Sequence, residues 1–247
     1  TVRHMQRPYG GMVCTGAPGK MEIDVRPKLA GAGEWTHQYA NAGNTLNSDD
    51  ELLSGQLGML WFRDVAFDVP QRHGRAPAPL FSDGRLIHEG INGLVCIDAY
   101  NGHEIWRYDI PGVLKAYNGD ELMGVAGTGG NLCLQDGNVY LRDKNRCLKI
   151  DAASGVLVNE FETPVTIDGK PGIWGYIACV DGTLFGTVAD SSHVVTYRYR
   201  ATTGDMNSLL TESKSFFAMD STTGQLKWRY DAEESIRHNA IAIDDGL

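Results

Sequence analysis

The sequence lacks the long apolar segments that membrane helices and secretion signals require. No stretch of its 247 residues approaches the roughly 20 consecutive apolar residues of a membrane helix. The opening residues, TVRHMQRPYGG, contain no apolar segment of the kind found in a signal peptide. The sequence therefore predicts no membrane span, and the absence of an initiator Met suggests a processed or excised chain.

Basic charge is also scarce. The chain has 22 Lys and Arg residues against 31 Asp and Glu residues, which gives a formal net charge of −9. Nucleic-acid-binding proteins usually present a basic stripe, and the densest basic stretch here is only Arg-Tyr-Arg at 198–200. The sequence therefore predicts no nucleic-acid partner.

The five cysteines are too scattered for a zinc knuckle. The sequence contains no Cys-x-x-Cys motif, no adjacent pair and no short-spaced Cys/His set. One cysteine, Cys14, lies near the start of the chain. The other four lie in apolar runs typical of strands; they are Cys96, Cys133, Cys147 and Cys179. We expect the four to be buried free thiols, and we predict no metal site.

Common catalytic motifs are missing as well. The Gly-rich stretch GVAGTGGN (124–131) lacks the Gly-Lys-Ser/Thr ending and the following helix of a phosphate-binding loop. The sequence has no Gly-x-Ser-x-Gly elbow and no His-Glu-x-x-His pair. We therefore assign no residue a catalytic role.

What the sequence does contain is a repeat. Its three copies read IDAYNGHEIWRYD (97–109), IDAASGVLVNEFE (150–162) and MDSTTGQLKWRYD (219–231). Each copy has Asp, then Gly four residues later, and the first and third have Trp eight residues after the Asp; the repeat residues are Asp98, Gly102, Trp106, Asp151, Gly155, Asp220, Gly224 and Trp228. The Asp can cap a turn and the Gly can supply the positive φ angle that closes it.

Each copy is preceded by an Asp-Gly pair that predicts a further hairpin. These pairs, at 83–84, 136–137 and 181–182, begin short runs rich in β-branched and aromatic residues, and no window shows helical spacing. The third copy is 24 residues longer than the others, and the stretch 191–215 contains this insertion. We interpret the insertion either as a partner-binding excursion or as a mobile loop.

These units predict an all-β fold of four-stranded blades, because all-β repeats of this length with a turn at each junction are typical of propellers. About four blades and a stub fit into the chain. A solenoid is the structural alternative, although its repeats are usually shorter. Since an open half-propeller would leave exposed sheet edges, we expect the chain to be a fragment of a larger propeller or to pair with further chain.

The repeat resembles a known family at DAYNGHEIW and DSTTGQLKW. Residues 35–247 are similar to pyrroloquinoline-quinone (PQQ)-type β-propellers, which include quinoprotein alcohol dehydrogenases and non-enzymatic relatives. The segment GEWTHQYANAGNTLNSDD (33–50), with LGMLWF and APAPLFSDGRL, is similar to envelope-type propellers of planctomycete-like bacteria. The resemblance implies seven or eight blades, a location in the cell envelope or periplasm, and a Trp packed between neighbouring blades; Asn159 at the Trp position of the second copy implies a weaker contact there.

Residues 1–34 do not match the repeat. Within them RPYGGMVCTG (7–16) resembles the turn and strand late in class I methyltransferase domains, although a loop leading into any strand explains it equally well. We therefore predict a non-repeat leader at 1–34, with the tail of a preceding methyltransferase-like domain as one reading of it, and propeller blades at 35–247 that are incomplete at the C-terminus.

Two functions remain open. The first is a non-catalytic scaffold that binds a protein partner or the remaining blades, with no cofactor. The alternative is part of a dehydrogenase dependent on PQQ and calcium, or a propeller fused to a methyltransferase. The resemblance implies an axial quinone with an acidic and Asn calcium site, but no such set can be placed here. His37, His73 and His238 are candidates to face the propeller axis; surface or turn histidines are the alternative reading.

Overall fold

A computed structural model describes residues 5–63, 77–113, 131–164, 166–167, 170–189 and 212–244. The regular secondary structure of the described chain comprises strands and a 3-10 helix at His238–Ala240, and the described residues between the second and third strands are irregular. The strands are β1 (Met12–Ala17), β2 (Lys20–Val25), β3 (Leu80–Ser82), β4 (Arg85–Gly90), β5 (Gly93–Asp98), β6 (Glu104–Asp109), β7 (Leu132–Gln135), β8 (Asn138–Asp143), β9 (Arg146–Asp151), β10 (Leu157–Glu162), β11 (Thr166–Ile167), β12 (Lys170–Pro171), β13 (Ile173–Val180), β14 (Thr183–Ala189), β15 (Glu212–Asp220) and β16 (Leu226–Arg237).

Three four-stranded antiparallel sheets form the body of this part of the chain. Each is a meander in chain order: blade 1 contains β3 to β6, blade 2 contains β7 to β10, and blade 3 contains β13 to β16. The hairpins β1–β2 and β11–β12 form separate two-stranded sheets. The predicted all-β fold of four-stranded blades is confirmed.

The Asp-Gly pairs make the first turn of every blade. In each pair both residues have positive φ angles, between 45° and 73°, as a two-residue turn of type I′ requires; the pairs are Asp83-Gly84, Asp136-Gly137 and Asp181-Gly182. This turn matches the right-handed twist of the strands that it joins. The sequence signal therefore sets the register of the first two strands of each blade.

The hydrophobic core lies between successive blades. Strand β7 contacts β3 on one side and β13 on the other, so the first strands of the three blades lie together at the inner edge. One buried cluster joins blades 1 and 2 and includes Leu80, Leu94 and Leu148. A second joins blades 2 and 3 and includes Trp174 and Phe217, whose rings meet edge to face with centroids 5.0 Å apart.

The segment that precedes blade 1 crosses the inner edges of the sheets. It bonds through its backbone to β3, to β7 and to the chain that follows the 3-10 helix. These hydrogen bonds run from Trp35 N to Phe81 O (2.9 Å), from Leu134 N to Thr36 O (2.8 Å) and from Ile243 N to Ala42 O (2.9 Å). One short segment thus ties together the inner sides of all three blades.

The leader forms the β1–β2 hairpin and rests on blade 1. The ring of Tyr9 covers the Asp-Gly turn, since a Cβ added to Gly84 would lie 3.0 Å from it. Tyr9 also lies against Tyr100, with ring centroids 5.9 Å apart, and Arg7 forms an ion pair with Asp98. The division into a leader at 1–34 and blades at 35–247 stays a prediction.

The predicted insertion at 191–215 is partly corrected. Residues 212–215 belong to strand β15, which pairs with both β14 and β16. Residues 191–211 lie outside the described residues. Among the described residues, no helix is long and apolar enough to cross a membrane.

Candidate functional site

Neighbouring blades contact each other at the Asp-x-x-x-Gly turn, which connects the third and fourth strands of each blade. Its Asp carboxylate accepts hydrogen bonds from the backbone N–H groups of the turn: Asp98 Oδ1 accepts from Tyr100 (2.9 Å), and Asp220 Oδ1 accepts from Thr223 (2.8 Å). Asp151 Oδ1 accepts from the backbone N–H of Ser154 at 2.7 Å. The turn glycines Gly102, Gly155 and Gly224 have φ angles of 71°, 72° and 73°. The repeat residues thus build rigid turns.

An aromatic side chain of one repeat covers the turn glycine of the next. Trp106 of blade 1 is 8% exposed, and its Nε1 donates to the carbonyl of Ala152 at 3.0 Å. A Cβ added to Gly155 would lie only 2.7 Å from the Trp106 ring. The glycine is therefore required both by its positive φ angle and by the indole that lies on it.

Trp61 makes the same contact one repeat earlier. Its Nε1 donates to the carbonyl of Ala99 at 2.7 Å, and its ring would lie 2.6 Å from a Cβ on Gly102. The sequence LGMLWF therefore contains, at Trp61, the aromatic residue of a preceding repeat. The sequence did not reveal this role of Trp61, because no Asp-x-x-x-Gly turn begins eight residues before it.

Blade 2 divides the role of the Trp between two residues. Phe161 is buried, and its ring would lie 3.0 Å from a Cβ on Gly224. Asn159, at the Trp position, donates from Nδ2 to the carbonyl of Thr222 at 3.3 Å. A register shift between Leu157 and Asn159 accompanies the change. The phenyl ring supplies the packing and the amide supplies a donor in place of the indole N–H.

Trp228 has no such turn to cover within the described residues. It is 43% exposed and packs against its own sheet, with its ring centroid 5.3 Å from that of Phe216. Leu226 and Tyr230, on the same strand, are 43% and 58% exposed. We call these three residues the Trp228 edge.

A buried polar cluster lies where the leading segment meets blade 3. His238 Nε2 is 2.5 Å from Ser213 Oγ and 3.1 Å from Thr187 Oγ1. His37 and His238 both line a cavity of about 10 Å³ beside Tyr176, room for about one water molecule. The structure thus brings two of the three histidine candidates together, and His73 lies outside the described residues.

His37 is held in its neutral form. Burial lowers the pKa of His37 to about 4, because the charged imidazolium would lose its hydration. Its Nδ1 lies 2.9 Å from Thr36 Oγ1. At neutral pH this side chain is an uncharged hydrogen-bonding group at the inner side of the blades.

Glu89 and Arg142 are buried at equivalent positions of blades 1 and 2, and Thr187 occupies the same position in blade 3. Counted from the Asp-Gly pair, each is the fifth residue after the Gly, and all three are at most 1% exposed. Burial raises the pKa of Glu89 to about 8, while the nearby charge of Arg142 and the amide of Asn131 oppose this shift. No sequence pattern indicated this cluster.

We expect Glu89 to make the protein less stable as the pH rises. Between pH 4.5 and about 8 the folded state keeps a proton on Glu89 that the unfolded state has released. The free energy of unfolding should therefore fall by up to about 1.4 kcal/mol per pH unit in this window. Denaturant titrations at several pH values should show a flatter profile for Glu89→Gln than for the wild type, and superimposable profiles would contradict the assignment.

The buried cysteines are not poised for chemistry. Cys96, Cys133, Cys147 and Cys179 are buried and free, as predicted, whereas Cys14 is exposed. Burial raises the pKa of Cys96 to about 12 and that of Cys179 to about 11, and it also raises the pKa values of the other two buried thiols. Because the thiolate is the reactive form, these thiols are inert at neutral pH.

Successive four-stranded meanders that share an inner edge and are locked by aromatic–glycine contacts define a β-propeller repeat protein. A family model described as the β-propeller domain of PQQ-type glucose/ethanol/alcohol dehydrogenases matches residues 61–244. The chain therefore belongs to this PQQ propeller family.

Quinohemoprotein alcohol dehydrogenases are among the proteins that this chain resembles. ADH IIB of Pseudomonas putida is 27% identical over 178 residues, which cover 65% of this chain and 25% of that protein. The solved structure of ADHIIG from Pseudomonas putida HK5 matches with a TM-score of 0.53 at 20% identity, over 81% of this chain and 26% of that one. The solved structure of the quinohemoprotein alcohol dehydrogenase from Comamonas testosteroni matches with a TM-score of 0.51 at 18% identity, over 82% of this chain and 28% of that one. The chain thus spans about a quarter of these relatives.

Proposed function

We propose that this chain is a set of interlocking propeller blades that acts as a binding scaffold, without catalysing a reaction itself. The observation that carries this proposal is the Trp228 edge, an exposed apolar and aromatic strip on the last strand of blade 3. Three aromatic residues at corresponding places cover the glycine of a following turn. The Trp228 edge has the chemistry to bind one more such turn.

The partner of this edge is a further repeat. All three Asp-x-x-x-Gly turns of the described chain are already covered, by Trp61, Trp106 and Phe161. A second copy of these blades would therefore present only covered turns to Trp228. A further blade that begins with the same turn chemistry would bury the indole and supply a carbonyl for its N–H group.

The remaining parts of the chain enter the same proposal. Residues 35–247 would form incomplete blades of a seven- or eight-bladed propeller in the cell envelope or periplasm, as in envelope-type propellers of planctomycete-like bacteria. The leader at 1–34 would be the tail of a preceding methyltransferase-like domain. The β1–β2 hairpin is consistent with a strand pair that completes a neighbouring unit, because isolated hairpins have little stability of their own.

A dehydrogenase dependent on PQQ and calcium is the second candidate, and the family match favours it. The two buried polar clusters at the inner side of the blades do not fit that cofactor. Calcium prefers ionised carboxylates, whereas burial raises the pKa of Glu89 to about 8. The cavity between His37 and His238 holds about 10 Å³, against at least roughly 300 Å³ for a typical cofactor pocket. No reaction step through the quinone is derived.

Calorimetric titration of the purified full-length protein with PQQ, with and without calcium, separates the two candidates. The scaffold proposal predicts no saturable heat when circular dichroism shows that the protein is folded. Saturable, calcium-dependent binding would overturn the scaffold proposal and establish the cofactor of a dehydrogenase. Calcium alone serves as the control for binding of the cation without the quinone.

A further inference from the structure

A polar cleft lies between blades 1 and 2 at the end of the sheets where the Asp-Gly turns lie. Its volume is about 270 Å³. Asp83 and Arg85 line it from blade 1, Asp136 and Gly137 line it from blade 2, and Ile87 and Leu134 add apolar surface. Since Arg85 begins β4 and Glu89 lies near its end, these two residues lie about 13 Å apart along the strand.

Arg85 supplies a cation that the fold engages only through its charge: after the hydrogen bonds from Ser154, that charge helps to lower the pKa of Asp151. Its guanidinium makes no hydrogen bond or ion pair within the described residues, although it lines this cleft. The other basic residue of the cleft, Lys28, is bound to Glu34 at 2.8 Å. An unpaired guanidinium in a recess is a ready partner for a carboxylate, which it can bind through two parallel hydrogen bonds.

Arg85 differs from the residues at the same position in the other two blades, which bond within their own blade. In blade 2 the residue after the Asp-Gly pair is Asn138, whose Nδ2 donates to the carbonyl of Asp136 at 2.8 Å. In blade 3 it is Thr183, whose hydroxyl accepts from Lys227 Nζ at 2.8 Å. Both side chains are satisfied within their own blade. The blade itself therefore requires no arginine at this position.

Two carboxylates, those of Asp83 and Asp136, also line the cleft. Asp83 forms no hydrogen bond or ion pair in the described part of the chain. Asp136, across the cleft, accepts only from the neutral amide of Gln135, at 3.2 Å. Lys28 and Glu34 are paired with each other, and Asp83 acts on Lys28 through its charge alone, so Arg85, Asp83 and Asp136 keep the capacity to bond a ligand directly.

A second recess extends the site toward the leader. It has a volume of about 400 Å³ and shares Asp83 and Arg85 with the first cleft. Tyr9 and Ile105 add aromatic and apolar surface to its walls. The two shared residues therefore stand at the junction of two recesses, where a ligand in the first could extend a side chain into the second.

We propose that this cleft binds a small zwitterion of the α-amino acid class. The ligand carboxylate binds Arg85, and the ligand ammonium binds the carboxylates of Asp83 and Asp136. A volume of about 270 Å³ lies just below the roughly 300 Å³ at which drug-sized pockets begin, so it suits a ligand of amino-acid size. The site is independent of the scaffold function and of the Trp228 edge.

Calorimetry on the full-length protein with L-glutamine as the probe tests this site. We expect saturable binding, and we expect acetate and methylammonium, which each carry one of the two charges, to bind at least about tenfold more weakly. Arg85→Asn, which installs the residue of blade 2, should lower the affinity at least about tenfold. Arg107→Asn, which removes an arginine outside the cleft, should leave the affinity unchanged.

Two further variants keep the test decisive. Arg85→Lys preserves the charge but not the planar pair of donors, so it should also weaken binding. It takes the place of Arg85→Asn in the test if that variant proves unstable. Asp83→Asn should weaken L-glutamine binding without affecting acetate. The proposal is overturned if folded wild-type protein gives no saturable heat up to about 10 mM L-glutamine, or if Arg85→Asn and Arg85→Lys both bind it as the wild type does.

Discussion

Replacing Trp106 by Ala should cost about 3 to 5 kcal/mol of unfolding free energy. The indole is 8% exposed and covers the turn of blade 2, and its N–H group bonds to the carbonyl of Ala152. Truncation removes this packing, opens a cavity between the blades and leaves a buried carbonyl without its donor. Equilibrium unfolding in denaturant, followed by circular dichroism, measures the loss.

Trp106→Phe is the matched control for this prediction. Phe161 already performs the packing role in the next blade, so a phenyl ring is compatible with the turn. The variant keeps most of the apolar area and loses one hydrogen bond, at a cost of about 1 kcal/mol. A loss below about 1 kcal/mol for Trp106→Ala would show that the indole does not join the blades.

The second large effect is expected at Gly155. An Ala at this position must adopt a φ angle of 72° and place its Cβ 2.7 Å from the Trp106 ring. The left-handed backbone costs about 1 to 2 kcal/mol, and the overpacking adds about 1 to 3 kcal/mol. The free energy of unfolding should therefore fall by about 2 to 5 kcal/mol.

Gly137→Ala separates the two contributions. Gly137 has a similar φ angle of 69°, but a Cβ there would meet nothing within 4 Å. Its variant should lose only the backbone part, about 1 to 2 kcal/mol. Equal losses at the two glycines would mean that the indole does not press on Gly155. Adding Trp106→Phe to Gly155→Ala should recover part of the loss, because a smaller ring relieves the contact.

The turns are the part of the fold that could be predicted from the sequence. Asp-Gly pairs and Asp-x-x-x-Gly turns act through local geometry, since each needs only a positive φ angle and a nearby acceptor. Both can therefore be recognised in an isolated sequence. The offset between Asp98 and Trp106 recurs between Asp220 and Trp228 in blade 3.

The rest depends on contacts between residues distant in the chain. In blade 2 a register shift moves the packing ring from the Trp position to Phe161, two residues later, and a fixed spacing cannot anticipate such a shift. Trp61 lies 41 residues before the Gly102 that it covers. The approach of Glu89 to Arg142 arises only when the two blades pack.

Hydroxyl-radical footprinting of the full-length protein tests the central claim most directly, because it reports the exposure of Trp106 and Trp228 in one experiment. Trp106 is the buried reference, and Phe62, at 85% exposed, is the exposed one. If a further repeat covers the Trp228 edge, Trp228 should be protected nearly as well as Trp106. Oxidation of Trp228 at a rate close to that of Phe62, after correction for intrinsic reactivity, would contradict the interlocking-scaffold account.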